Sequence, residues 1–411
     1  MTERLAIDGG RPVREAMLPY GRHAIDEEDV QAVAAALRSG WLTTGPKVPE
    51  FERAVADLTG ARYGVAVTSG TAALHAAAFA AGVGPGDEVI VPAITFAASA
   101  NAALYLGATP VFADVRADTL NVDPDDVAAR CSPRTRAIVA VDFAGQPADL
   151  DALSTIARSR GAALIEDAAH ALGAEYRGRR VGSIADMTTL SFHPVKHATT
   201  GEGGLIATDS DESARRLRRF RNHGLETEFR ERDARADIYS PMVDLGFNYR
   251  ITDVQCALGL SQLSRLEDSL KRRAEIAQRY RGELGGVGGL TVPAVAPDVR
   301  HAWHIFPVLL DLERLRVDRR AVLIALRAEG IGVAVHYVPV YWHPYYQARN
   351  YARGLCPRAE QAFDRLLTLP LFPSMTERDV DDVVKAVRKV LAHYTSEDAW
   401  HRRSRGEGGR A

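Results

Sequence analysis

The sequence predicts an α/β fold: a large domain with a mainly parallel, helix-covered central sheet, followed by a smaller C-terminal α/β domain. Three observations predict it. Seven short apolar runs between residues 63 and 208 alternate with helical segments. A long helical pattern at 257–284 ends in GGVGG and reads as a connector between two units. The chain has 411 residues, more than one core of ordinary size holds, so two domains are expected.

Residues 1–21 are irregular and read as an N-terminal arm. AIDEEDVQAVAAALRSG (24–40) reads as a helix. Asp26 can cap it, the acidic first turn complements the helix dipole, and Val30, Val33, Ala34 and Leu37 share a face before Gly40 stops it. YGVAV, EVIVP, TPVFAD, AIVAVD, AALIED, TTLSF and GLIATD then read as strands. Stretches at 71–81, 96–106 and 149–160 are amphipathic or alanine-rich and read as helices between them. Nearly continuous apolar strands separated by helices fit a parallel sheet, because crossover helices cover both of its faces. The large domain is expected over 22–260. The connecting helix and small domain are expected over 261–395, with HIFPVLLDL, DRRAVLIALRAEG, IGVAVHYVPV and DVDDVVKAVRKVL as elements. The polar stretch 396–411 reads as a disordered tail.

Composition narrows the function classes. A formal net charge of -2 provides no broad basic footprint for nucleic acid. The arginine clusters at Arg215, Arg216, Arg218, Arg219 and Arg221, and at Arg402, Arg403 and Arg405, read as a solvated helix face and a tail. Cys131, Cys256 and Cys356 are far apart, and no CxxC or His-rich spacing occurs. Neither a disulfide framework nor a structural zinc site is therefore expected. The opening MTERLAIDGGRPVREAM lacks an apolar stretch of signal-peptide length, and no run of about 18 apolar residues occurs. A cytoplasmic protein with no membrane or nucleic-acid partner is expected.

Ligands of open parallel sheets bind beyond the carboxyl ends of the strands, and several unusual residues fall there. VAVTSGTAALHAAA places Thr68, Ser69, Gly70 and Thr71 between a strand and a helix. Small residues there expose backbone N–H groups to an anion, and a plain tight turn is the alternative. AALIEDAAH puts Glu166, Asp167 and His170 at the end of a buried strand. A carboxylate there needs a cation or donors, unless Asp167 merely caps a following helix. TTLSFHPVKHATTGEGG (188–204) supplies Ser191 and Lys196, then glycines that let the chain turn tightly. A lysine amine forms a Schiff base only when neutral; a free lysine titrates at about 10.4, so burial or nearby positive charge is required. Pyridoxal phosphate (PLP) needs such a lysine, an anion site for its phosphate and a carboxylate beside its ring nitrogen. Gly70, Thr71 and Ser191 suit the phosphate, Asp167 the nitrogen and Lys196 the aldehyde.

The stretch EDAAHALGAEYRGRRVGSIADMTTLSFHPVKHATTGEGGLIATD resembles the core signature of the sugar-nucleotide aminotransferases, the DegT/DnrJ/EryC1/StrS family. GWLTTGPKVPEFE, SGTAALHAA, GPGDEVIVPAITFAASANA, GATPVFADV, NYRITDVQCALGLSQL and HYVPV extend the resemblance over residues 17–393. It implies a fold-type I PLP-dependent transferase. YGRHAIDEEDVQAV, SFHPVKHATTGEGG and LGFNYRITDVQCALGLSQL are more narrowly similar to the UDP-4-keto-6-deoxy-sugar C4 aminotransferases of the pseudaminic acid pathway. Those act on a UDP-linked 2-acetamido-2,6-dideoxy-4-ketohexose with L-glutamate as donor. The UDP-4-keto-pentose aminotransferases of lipid A modification share the GWLTTGPK-type and EDAAHA stretches.

The resemblance implies a role for each matching residue. Lys196 is the Schiff-base lysine and then the acid/base at the sugar carbon. Asp167 pairs with the pyridine nitrogen, Gly70, Thr71 and Ser191 hold the phosphate, and Phe96 stacks on the ring. Asn248 reaches the phosphate in the partner subunit's site, which implies a homodimer with shared active sites. His170, where many members carry glutamine, lies near the ring, and His193 faces the sugar. Tyr20, Leu42, Thr43, Thr44, Gly45, His336 and Tyr337 match substrate-lining stretches. Arg250 suits a diphosphate or the glutamate carboxylate, because its planar fork matches oxyanions.

Particular residues bear on four rival readings. A sugar dehydratase of this fold carries histidine at the lysine position, and Lys196 argues against it. A C3 aminotransferase for a dTDP-linked 3-keto sugar would share every cofactor residue. A regulatory protein on the same fold would have a broken Lys–Asp–Ser set. A nicotinamide-dependent oxidoreductase would open its first strand–helix turn with G-x-G-x-x-G, which is absent.

Overall fold

The apolar runs form one sheet, and its strand order decides where the unusual residues meet. In the computed structural model, which describes residues 3–227 and 238–395, the strands are β1 (Tyr63–Val67), β2 (Glu88–Pro92), β3 (Thr109–Ala113), β4 (Thr135–Val141) and β5 (Ala163–Asp167). A small hairpin, β6 (Glu175–Tyr176) and β7 (Arg179–Arg180), precedes β8 (Met187–Ser191) and β9 (Gly204–Thr208). The main sheet has seven strands in the order β1-β9-β8-β5-β4-β2-β3. All neighbours from β8 to β3 are parallel; β9 alone runs backwards, antiparallel to both β1 and β8. The mainly parallel sheet expected from the sequence is therefore present with one reversed strand. Every residue of β2 and β9 is buried, as sandwiching between helices requires.

Helices α1 (Glu27–Arg38), α2 (Lys47–Thr59), α3 (Gly70–Ala80), α4 (Ala97–Tyr105), α5 (Pro124–Arg130), α6 (Leu150–Arg160) and α7 (Asp211–Arg221) surround this sheet. Asp26 caps α1 as expected, in a reciprocal capping box with Asp29. The apolar face of α1 points the other way from a core face: Val30 and Leu37 are exposed, whereas Asp29 and Ala36 are buried. The reason is ionic. Asp29 is drawn inward by Arg265 (2.7 Å) and by the amide of Gln262 (2.6 Å).

The connector expected at 257–284 is two helices, α8 (Asp253–Ser264) and α9 (Leu266–Leu284), broken at Arg265. That break is where Arg265 turns its guanidinium to Asp26 and Asp29 of α1. Beyond it, β10 (Leu290–Thr291), β12 (Phe306–Leu310) and β13 (Leu366–Leu369) form a second, antiparallel sheet. Between β10 and β12, β11 (Val299–Arg300) pairs with β6. Helices α9, α10 (Arg319–Ala328) and Glu377–Tyr394 pack on the second sheet in a separate core.

The N-terminal segment belongs to that second core: Leu5 and Leu18 are buried in it. Buried Glu329 ties it down by accepting from Ala6 N (2.8 Å), Val13 N (3.0 Å) and Lys389 Nζ (2.9 Å). Residues 18–20 thus run from the small unit toward the main sheet, with Leu18 bridged to Ile331. The tail expected at 396–411 lies outside the described residues. Among the described residues, no helix is long and apolar enough to cross a membrane.

Candidate active site

One edge of the main sheet collects the ends of β1, β5 and β8 and the start of β9. Gly204 opens β9 opposite both Val67 and Ser191. Reversal of β9 therefore folds the whole 192–203 loop, with Lys196 in it, over that edge. A side chain at Gly204 has no room, since a Cβ would lie 2.2 Å from Ser69 O. Here the glycine is needed for close approach of two backbones.

A cleft of about 610 Å³ opens at this edge. Gly70, Thr71, Phe96, Asp167, His170, Ser191, His193, Lys196, Tyr20, His336 and Tyr337 line it. Each comes from a different local cause. Gly70 and Thr71 are the first residues of α3, whose cap is Ser69; Ser69 Oγ accepts from Ala72 N. The amides of Gly70 and Thr71 point out of the helix and find no protein acceptor among the described residues. Ser191 faces them, and a Cβ on Gly70 would lie 3.0 Å from Ser191 Cβ. Two small residues and two free amides at a helix N-terminus make a cradle for a phosphate-sized anion.

Asp167 ends β5 and is 6% exposed. No helix follows it, so it is not a helix cap. Its Oδ2 accepts from Ser99 Oγ at 2.7 Å, and Ser99 is itself 2.7 Å from the hydroxyl of Thr95. Burial pushes the Asp167 carboxyl above its ordinary range, and the Ser99 bond opposes this. Lys196 is half-buried, and desolvation pushes its pKa down to about 8, against the pull of the Asp167 charge. Part of this amine is therefore neutral near physiological pH, as imine chemistry requires. His170, His304 and His336 are all pushed down by burial, so the cleft's inner wall is neutral imidazole. Tyr337 OH lies 3.1 Å from His170 Nε2 and holds that ring. Phe96, 61% exposed at the N-terminus of α4, presents an open ring face to the cleft.

These residues fit PLP: a lysine with lowered pKa, a buried carboxylate, an anion cradle and an aromatic face share one cavity. Sequence reasoning missed Ser99 and His304. Ser99 lies one turn into α4 from Phe96, and nothing local distinguishes it. His304 arrives from the second unit, in AWHIF, far from the sheet in sequence. Removing the Ser99 hydroxyl strips the buried carboxylate of its main donor, worth about 1.5–3 kcal/mol for a charged group. Ser99→Ala is expected to weaken PLP binding roughly tenfold or more, measured by absorbance titration with PLP.

Six expected residues do not line the cleft of their own chain. Leu42, Thr43, Thr44 and Gly45 strap α1–α2 onto the start of α8. Leu42 O accepts from Asp253 N, Thr43 bridges Thr252, and Gly45 N donates to Asp253 Oδ2 at 2.7 Å. Gly45 is sterically required, as a Cβ would lie 2.5 Å from that of Trp41. Asn248 is exposed, with its backbone bridged to Asn222, and Arg250 donates to Asn222 Oδ1 at 2.8 Å.

Residues 23–388 match the DegT/DnrJ/EryC1/StrS aminotransferase family. The chain is 44% identical over 381 residues to the spore coat polysaccharide biosynthesis protein SpsC of Bacillus subtilis, covering 92% of this chain and 98% of that one. Among solved structures it is similar to the sugar aminotransferase Spr1654 of Streptococcus pneumoniae, described as putative and seen in PLP and PMP forms. The PMP form has a TM-score of 0.86 and 31% identity, covering 92% of this chain and 99% of that one. It is also similar to Helicobacter pylori PseC, an aminotransferase of pseudaminic acid biosynthesis, with a TM-score of 0.85 and 29% identity over 92% of this chain and 100% of that one. With family match, relatives and cleft in agreement, the chain belongs to the DegT/DnrJ/EryC1/StrS family and is a PLP-dependent sugar aminotransferase.

Proposed function

We propose that this enzyme moves the amino group of L-glutamate to C4 of a UDP-linked 2-acetamido-2,6-dideoxy-4-ketohexose, in the cytoplasm. The observation that carries this reading is the likeness to PseC along nearly the whole of both chains. PLP, when bound, supplies an electron sink for the electron pair left at the amino-bearing carbon. In this reading Lys196 anchors the cofactor and, once released, its neutral amine takes and returns the proton at that carbon. Asp167 holds a proton on the ring nitrogen, Gly70, Thr71 and Ser191 grip the phosphate, and Phe96 and His170 flank the ring. Tyr20, His193, His336 and Tyr337 stand around the cleft where the sugar would enter.

The residues outside the cleft fit a homodimer with shared sites. Asn248 and Arg250 follow an exposed apolar stretch that includes Ile238, Tyr239, Met242, Leu245 and Phe247. A run of exposed apolar side chains of this kind suits contact with another chain. In the proposed dimer this segment and residues 42–45 complete the partner's cleft, with Asn248 at its phosphate. The identity of 44% to SpsC favours a second reading, in which the acceptor is another nucleotide-linked keto sugar destined for a polysaccharide. A UDP-4-keto-pentose, a dTDP-3-keto sugar and a GDP-4-keto sugar are the candidates. A non-catalytic role is disfavoured by the intact Lys196, Asp167 and Ser191.

The test has two stages. L-glutamate alone should remove the visible band of lysine-bound PLP and release one 2-oxoglutarate per site. The UDP-linked 4-keto sugar should then restore the band faster than the three alternatives. Restoration only by one of those would replace the acceptor in this reading, and no response to glutamate would remove the donor.

A further inference from the structure

Asp142 and Glu166 stand side by side at the ends of β4 and β5, next to Asp167. Ala140 is opposite Glu166 and Val141 opposite Asp167 in the register of these strands. Both acids have zero exposure. Glu166 Oε2 accepts from Thr188 Oγ1 at 2.6 Å, and Asp142 Oδ1 accepts from Ala148 N at 3.0 Å. Their other oxygens, Asp142 Oδ2 and Glu166 Oε1, accept no hydrogen bond within the described residues, though the Gly182 backbone N–H is directed at the Glu166 carboxylate. The two carboxyls face each other across that gap. No Lys, Arg or His of the described residues pairs with either one within 4.0 Å. The nearest charges are Asp167, on the same strand as Glu166, and Arg179, which acts on Glu166 only from a distance.

Two buried carboxylates in contact cannot both stay ionised, because desolvation and mutual repulsion add. One proton between them satisfies both orphan oxygens. Among the described residues Asp142 accepts only from Ala148 N, whereas Glu166 accepts from Thr188 Oγ1 and has the Gly182 N–H directed at it, so Glu166 is the better-served anion and Asp142 is the acid. We propose that Asp142 is a positioning residue of the active site, a buried neutral acid that donates to Glu166 and so holds Asp167 and the His304 segment in place.

The backbone shows how. Asp142 N donates to Asp167 O at 3.1 Å. The chain then turns through Phe143–Gly145, where Ala144 O accepts from His304 N (2.9 Å) and Gly145 O from Ala302 N (2.8 Å). Gly145 has φ 102, and a Cβ there would lie 2.8 Å from His170 O and from Trp303 N. One turn thus touches Asp167, His170 and His304. The single proton also limits the pair to one negative charge, where two would drive Asp167 toward its own protonated form. This last consequence rests on Asp167 serving the cofactor nitrogen; the protonation of Asp142 does not.

The sign of the pH dependence follows from burial raising the Asp142 pKa. Its neutral form stabilises the fold at low pH, and that contribution is lost as pH rises toward the raised value. Asparagine can donate to Glu166 and accept from Ala148 N but has no proton to lose. The experiment compares wild type, Asp142→Asn, Asp142→Ala and Glu166→Gln by melting temperature from about pH 5.5 to 9 without PLP, and by PLP titration. Asp142→Asn is expected to lose less stability than wild type as pH rises. It should bind PLP within about threefold of wild type, while Asp142→Ala loses about tenfold or more. Glu166→Gln should flatten the same pH slope, because the like charge that keeps the proton on Asp142 is gone. Asp142→Asn as harmful as Asp142→Ala, or pH slopes identical in all four proteins, would mean that Asp142 is ionised. PLP affinity untouched by Asp142→Ala would remove the positioning role.

Discussion

Lys196→Ala is expected to abolish turnover, with a loss of roughly 10⁴-fold or more, and to leave PLP bound without its visible lysine-linked band. Two functions disappear together: attachment of the cofactor and movement of the proton. The expected pH behaviour is specific to this lysine. Burial outweighs the attraction of the Asp167 charge and brings the amine to about 8. Only the neutral amine attacks the aldehyde. The rate of PLP attachment to PLP-free protein should therefore rise with pH to a midpoint near 8, well below that of a free lysine at about 10.4. Stopped-flow absorbance across pH measures this. A midpoint at the free-lysine value would show that the loop leaves Lys196 solvated, and an active alanine variant would refute the assignment outright.

Asp167→Asn is expected to separate activity from stability. The carboxylate is buried against a single strong donor, Ser99, and its ionised form is penalised by desolvation. Asparagine removes that penalty while keeping an acceptor for Ser99. Because the Asp167 pKa is raised, its neutral form stabilises the fold, and that contribution is lost as pH rises; PLP-free Asp167→Asn should melt at or above wild type at about pH 8. The electron sink needs the charge. The rate of the glutamate half-reaction should fall on the order of 10²–10³-fold, the usual cost of losing one preorganised electrostatic partner. Single-turnover absorbance with L-glutamate and a melting curve on the same sample decide it. A variant that melts lower yet reacts at the wild-type rate would make Asp167 a structural residue.

Much of this site is legible in the sequence, for a local reason. Lys196, Ser191, Asp167 and the Gly70–Thr71 turn each sit at the end of a buried apolar run. In a parallel sheet those ends share one edge. The residues that tune the site were not legible. Ser99 looks like any small residue of an alanine-rich helix, and only the approach of α4 to β5 turns it into a donor for Asp167. His304 reaches the cleft because the Phe143–Gly145 turn captures its backbone from the second unit. The apolar stripe of α1 is legible in the sequence, yet its outward direction depends on Arg265, more than two hundred residues away.

By itself the sequence determined the strand–helix alternation, the mainly parallel sheet, the cofactor class and the family, because these rest on period, burial and short motifs that neighbours in the chain specify. Tertiary structure alone decided which strand is reversed, where the long helix breaks, and which side of α1 is buried. It also decided which of the expected residues share a cavity within one chain. Protonation states belong to that second group. The lowered pKa of Lys196, the raised pKa of Asp167 and the proton shared by Asp142 and Glu166 arise from burial and from partners brought together by folding. A residue's spacing in sequence says where it stands on a strand, and only its packed surroundings say what charge it carries there.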